Sequence, residues 1–231
     1  MILAEELVLL SLDSDRGRIA NGIDKRALLR GAAGAILAEM VLRKRVHAAP
    51  GGIALSDSLP DFHPLLSEAT RLLARERGAI AESLAIRRVA SGISGLLRRL
   101  LHSLVARDIL HDERQAFFVH RYPVRSMQAL REVFARVHAV VAGQGGHPEL
   151  ALAACAEASG VLAVRFTSEE RFRVRRQIET RREQAVAGGD SEADYTVPGS
   201  DSAEAVELLQ ERFPRFAGGT VDLVYTAADG V

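Results

Sequence analysis

Residues 27–43 read ALLRGAAGAILAEMVLR, and this stretch decides the fold. Leu28, Leu29, Ala32, Ala33, Ala35, Ile36, Leu37, Met40, Val41 and Leu42 cover most of the circumference of a helix wound at 3.6 residues per turn. A helix that is apolar nearly all round lies inside a protein or a bilayer. Arg30 and Glu39 leave only eight uncharged residues between them, whereas a bilayer span takes roughly 20. The stretch is therefore the central helix of an all-α core. Arg30 and Glu39 must each find a polar partner or a route to water. The GAAGA segment at 31–35 has almost no side-chain volume, so neighbouring backbones can approach it closely.

The rest of the composition fits that core. The chain has 231 residues, 48% of them hydrophobic, with 5% aromatic and no Trp. A single domain of mainly α class, around a central apolar helix and carrying short β-hairpins, is expected over residues 1–184. Residues 185–202 (AVAGGDSEADYTVPGSDS) have linker composition, and 203–231 form an acidic tail with a short helix at 203–213. The lone Cys155 excludes an intrachain disulfide and fits a reducing cytosol. The start, MILAEELVLLSLD, lacks a basic region and carries Glu5 and Glu6, so no signal peptide is expected there.

Net charge is zero but unevenly spread. Residues 87–136 hold ten Arg against Asp108, Asp112, Glu113 and Glu132, a net of +6; residues 188–231 hold nine acids against Arg212 and Arg215, a net of −7. A basic middle invites an anionic partner, and an acidic tail either tempers that attraction or docks on the core.

Outward from the central helix, residues 5–12 (EELVLLSL) read as a short amphipathic helix, and Arg18 and Ile19 as a short extended piece. RVHA and IALS flank AAPGG as a hairpin turned at Pro50-Gly51-Gly52. Pro64 opens a helix that stops at Gly78. Helices follow at 80–88 and 92–107, the second striped by Ile93, Leu96, Leu97, Leu100, Leu101 and Leu104. ILHDERQAFFVHRYPV reads as a strand, a turn at HDER and a strand through Phe117 to Val119. Three more helices are expected at 127–141, 149–162 and 168–184.

No catalytic or metal-binding spacing emerges. The seven His form no HxxxH or HExxH, no Gly-rich loop joins a strand to a helix, and GAAGA lies within a helix. The chain is expected to be no enzyme and to hold no metal or cofactor. Residues 92–124, a Leu-striped helix followed by short strands, also suit a winged helix, with Arg98, Arg99, Arg121 and Arg125 toward phosphates. The near-neutral pI of 7.1 makes nucleic acid the least supported partner.

The order of motifs resembles the Golgi phosphoprotein 3 family in its bacterial form. LAEELVLLSLDSDRGRI, LLRGAAGAILAEMVLRKRVHA, LPDFHPLLSEATRLL, LVARDILHDE and HRYPVRS carry the likeness, which runs from about residue 2 to 182. LAEMVLRKRV and ARDIL are its most specific parts. The resemblance implies a largely helical domain around an apolar helix, with a projecting β-hairpin, in a peripheral membrane protein. Eukaryotic members bind phosphatidylinositol 4-phosphate and the cytosolic tails of glycosyltransferases, and their hairpin is implicated in self-association and membrane insertion. In an ungapped register the Trp of their lipid pocket falls at Asp24, its helix Arg at Ala33 and its later basic pair at Ser94 and Leu97.

The expected function is thus peripheral binding of anionic lipid, phosphatidylinositol 4-phosphate among the candidates, by a cytoplasmic protein. The lipid-binding candidates are Lys25, Arg26, Arg30, Arg87, Arg88, Arg98 and Arg99. Phe117, Phe118, Arg121 and Tyr122 are candidates for a membrane wedge or for self-association through the hairpin. An adaptor that binds a protein client without lipid is the alternative.

Overall fold

A computed structural model describes residues 1–56, 63–76, 78–115 and 119–187. Among these residues the fold is mainly helical, with three two-stranded antiparallel ribbons. In chain order the elements are α1 (Leu3–Ser11), β1 (Leu12–Asp13), β2 (Arg18–Ile19), α2 (Lys25–Leu42), β3 (Val46–Ala49), β4 (Gly52–Leu55) and α3 (Pro64–Leu73). There follow α4 (Glu82–Gly92), α5 (Leu96–Ala106), β5 (Glu113–Gln115), β6 (Val119–Arg121), α6 (Met127–Val141), α7 (His147–Ala158), α8 (Val161–Arg165) and α9 (Ser168–Ala187).

The quoted stretch is α2, and it is central as expected: Leu28, Ala32, Ala33, Ala35, Ile36 and Met40 have no exposed surface. It shares that place with α1. The amphipathic reading of residues 5–12 is corrected here, because every residue of α1 is buried, Glu5 and Glu6 included. α1 packs on α2, α5, α6, α7 and α8 at once, so it has no side left for water. Its two carboxylates survive burial because each has partners, described below. Where α1 ends, Arg165 donates to the carbonyls of Leu10 (2.9 Å) and Leu12, satisfying acceptors that a helix end leaves open.

The small residues of α2 do what their volume suggests. A Cβ on Gly31 would lie 2.7 Å from Ser159 Cβ, so α7 approaches α2 more closely there than any side chain allows. Glu39 meets its polar requirement internally: one carboxylate oxygen accepts the Leu3 N–H at 2.9 Å and the other the Arg43 guanidinium at 2.8 Å. Arg30 takes the other route and is exposed to water.

Several boundaries differ from expectation. β3 and β4 pair as foreseen, with Ala49 opposite Gly52 across Pro50-Gly51. Ile80 is not helical; it exchanges both backbone hydrogen bonds with Ile53 (2.9 and 2.8 Å) and extends that ribbon. The turn foreseen at His111–Arg114 is not one, because Glu113 and Arg114 pair with Arg121 and His120 in β5–β6. The single helix expected over 149–162 is broken into α7 and α8 at Gly160, which has a left-handed φ of 75° that glycine adopts without strain. The expected helix at 203–213 lies outside the described residues. No helix of the described residues is long and apolar enough to cross a membrane.

Candidate functional site

The cations named from the sequence fall into two groups. Lys25 and Arg26 are the first two residues of α2, and Arg30 lies one turn on from Arg26, on the same side of the helix. All three are exposed, and none makes an ion pair among the described residues. Asp24 caps the helix by accepting the Ala27 N–H at 2.7 Å, which fixes where that first turn begins. Their position runs against the helix dipole, which favours acids at this end and disfavours cations by about 0.3–1 kcal/mol each. No acid occupies the first turn. Ala33, which the family's helix Arg matches in the ungapped register, is wholly buried; the basic residues on α2 that reach solvent include Lys25, Arg26 and Arg30.

The second group lies on α4 and α5. Arg87 is exposed without an ion pair among the described residues. Arg88 is tied to Glu76 at 2.6 Å and Arg99 to Glu68 at 2.5 Å, so each of these two candidates already has an acidic partner. Arg98, beside Arg99, is exposed and makes no ion pair among the described residues.

Arg98 and Arg99 line a cleft of about 490 Å³ together with His63, Pro64, Leu65, His102 and Ser103. The start of α3 forms one wall and α5 the other. Positions 98 and 102, and 99 and 103, are each one turn apart, so α5 presents two Arg, a His and a hydroxyl in a single block. Behind the cleft lies Glu5. Its Oε1 accepts from the Ser103 hydroxyl at 2.5 Å and sits 3.3 Å from His63 Nε2; its Oε2 accepts the Ile2 N–H at 2.9 Å, with Arg107 at 3.8 Å. Burial alone would raise the pKa of this carboxyl. Hydrogen bonds from His63, Ser103 and Ile2, with the charge of Arg107, outweigh burial and hold it at about 2. Glu5 therefore stays ionised and fixes His63 and Ser103 in the cleft wall. Glu6 differs: burial is the larger effect and its pKa stays raised, although Arg136 donates to it at 2.6 Å.

The hairpin candidates separate as well. Phe117 and Phe118 lie outside the described residues. Tyr122 is 8% exposed, which leaves it little surface to offer as a wedge or for self-association. Its N–H donates to the Gly17 carbonyl at 2.7 Å, its ring stacks on His120 with centroids 6.2 Å apart, and its hydroxyl lies 3.4 Å from His102 Nε2. Tyr122 thus anchors the β5–β6 ribbon to the β1–β2 turn and to α5. Arg121 is half-buried. Sequence reasoning missed Glu5, His63, His102 and Ser103. Only the spacing of His102 and Ser103 behind Arg98 and Arg99 signalled anything, because residues 5, 63 and 103 meet through packing alone. Among the described residues, no three of His, Cys, Asp and Glu are grouped to hold a metal ion.

A family model described as Golgi phosphoprotein 3 (GPP34) matches residues 3–198. A search of curated proteins finds no match. The match takes in all the helices of the described fold, together with the α2 turn and the cleft, and so the chain belongs to the Golgi phosphoprotein 3 family.

Proposed function

We propose that this protein binds anionic lipid peripherally, through the exposed cations Lys25, Arg26, Arg30, Arg87 and Arg98. The observation that carries the reading is the first turn of α2. Lys25 and Arg26 stand there, with Arg30 one turn on, unpaired among the described residues and against the preference of the helix dipole, which the capping Asp24 alone meets from the chain itself. An anion docking at that turn adds to the Asp24 carboxylate in meeting the dipole and offsets the charge of the cations. Family membership supports the same reading, with phosphatidylinositol 4-phosphate as the finer candidate. Each Arg or Lys near an acidic membrane surface contributes about 1 kcal/mol, so attachment through a few such cations is reversible.

Sedimentation with neutral and with anionic vesicles, at low and at high salt, tests this. The expected result is pelleting that requires acidic lipid and weakens as salt shortens the screening length. Arg26→Glu with Arg30→Glu should reduce it sharply while the protein stays folded. An absence of pelleting with any vesicle would overturn the reading and favour a protein–protein adaptor.

A further inference from the structure

We infer that the outward face of α9 around Phe172 is a docking surface for this chain's own residues 203–213. Those residues lie beyond the family match, which ends at residue 198, and the inference does not depend on the lipid reading.

Phe172 is 65% exposed, and among the described residues no other large hydrophobic side chain reaches so far into water. A ring so placed gains by being covered. α9 packs on α6, α7 and α8 and buries Val174 and Ile178, while Phe172 projects from its other side. The cations of the helix are unequally engaged. Arg171 and Arg175 pair with Glu157, and Arg173 with Glu169 at 2.6 Å. Arg176, one turn on from Phe172, is exposed and makes no ion pair among the described residues. Its apolar stem extends the surface that the ring offers. Glu179 and Glu183 share this side of the helix, and α9 as a whole holds six Arg against four Glu, a net of +2.

The sequence supplies a matching occupant. In AEAVELLQERF, residues 203–213, Val206, Leu209 and Phe213 fall at helical spacing on one side, with Glu204, Glu207 and Glu211 on the other. Such a segment needs an apolar surface under its stripe and water over its acids, and the face around Phe172 offers both. Three Glu against Arg212 give it a net of −2, opposite in sign to α9, so no net repulsion opposes the approach. The connection has the right length. Residues 188–202 number 15, and a linker of that composition spans roughly 5–6 Å × √n, about 20–23 Å. The helix from residue 172 to its end at 187 rises about 22 Å at 1.5 Å per residue. The segment can therefore fold back along α9 with its connection near its preferred length, at an effective concentration on the order of millimolar.

The chain has no Trp, so Phe172→Trp in the full chain provides a single fluorescent reporter. Docking places its emission maximum to the blue of a solvent-exposed indole. The maximum should move to the red when Val206→Ser and Leu209→Ser are added, since they remove the stripe and leave every charge in place. Without the reporter, the backbone amides of 203–213 should exchange with deuterium on the order of tenfold more slowly in the wild type than in Phe172→Ser, with circular dichroism confirming that both are folded. A solvent-like maximum in Phe172→Trp, or exchange over 203–213 that Phe172→Ser leaves unchanged, overturns the inference. A maximum that turns blue only when vesicles are added also overturns it and assigns the face to a membrane. A blue maximum that the two Ser substitutions do not move overturns it as well: dependence on protein concentration then assigns the face to a second copy, and independence to another part of the same chain.

Discussion

The Ser103 hydroxyl donates to the Glu5 carboxylate over 2.5 Å, joining α5 to α1 across 98 residues of sequence. That bond ties the most buried helix of the fold to the wall of the cleft. A carboxylate with no exposed surface costs several kcal/mol when unpaired; here it receives donors from α1, α3 and α5. Stability and the shape of the site are therefore coupled at one side chain.

Acid should reveal that coupling. The Glu5 carboxyl titrates at about 2 in the folded protein against 4.5 ordinarily. Between those values the unfolded chain takes up a proton that the folded chain refuses, so falling pH favours unfolding. The contribution, about 3 kcal/mol at 1.36 kcal/mol per pH unit, is complete above pH 4.5 and disappears as pH falls toward 2. Glu5→Gln should lower stability at neutral pH by about that amount and flatten the acid limb of a urea-denaturation series. An acid limb identical to wild type would show that Glu5 is not the group responsible.

Glu6 supplies a contrast. Its folded pKa is raised, burial outweighing Arg136, so its ionisation costs stability as pH rises from the ordinary 4.5 through the raised value, and the full cost is present above that. Glu6→Gln also leaves Arg136 with a second partner, Glu149 at 3.0 Å. We expect Glu6→Gln to destabilise less than Glu5→Gln at pH 7, by comparison of the two urea midpoints. The reverse order would contradict the assignment of both carboxylates.

Two glycines of α2 should respond in opposite directions. A methyl on Gly31 meets Ser159 Cβ at 2.7 Å, whereas one on Gly34 meets Cys155 Sγ at an ordinary 4.0 Å. Gly31→Ala should destabilise by about 1–3 kcal/mol through overpacking. Gly34→Ala should be neutral or stabilise by up to about 1 kcal/mol, as alanine does within a helix. Thermal melts of the two variants decide the matter.

Cys155 should be inert in the native protein. It is buried, and burial pushes its thiol up to about 12, so almost no thiolate exists at neutral pH. Ellman's reagent should react with it only after denaturant is added. Fast labelling of the folded protein would mean that α7 opens readily from α2.

Leu37→Asp should abolish soluble folded protein. Leu37 is 2% exposed in the middle of α2. An unpaired carboxylate there costs several kcal/mol against a typical stability of about 5–15 kcal/mol. Recovery of a cooperatively folding variant, judged by circular dichroism and a urea transition, would remove α2 from the centre of the fold.

By itself, the sequence determined that residues 27–43 hold the central apolar helix, that the chain is mainly helical, and where the Pro50-Gly51 turn and the 127–141 helix fall. Each of these follows from local information: periodicity, side-chain volume and the restricted angles of proline and glycine. Tertiary structure decided what depends on partners distant in the chain. Residues 5–12 look amphipathic because Glu5 and Glu6 are charged, yet α1 is buried throughout because His63, Ser103, Arg107 and Arg136 arrive from other helices to meet those charges. In the same way Arg98 and Arg99 are neighbours of equal charge in the sequence, and only packing shows that Glu68 neutralises one of them. Tyr122 reads as a surface aromatic until Gly17 and His120 are placed against it. A side chain's polarity is written in the sequence; whether that polarity faces water or a partner depends on which helices are brought beside it.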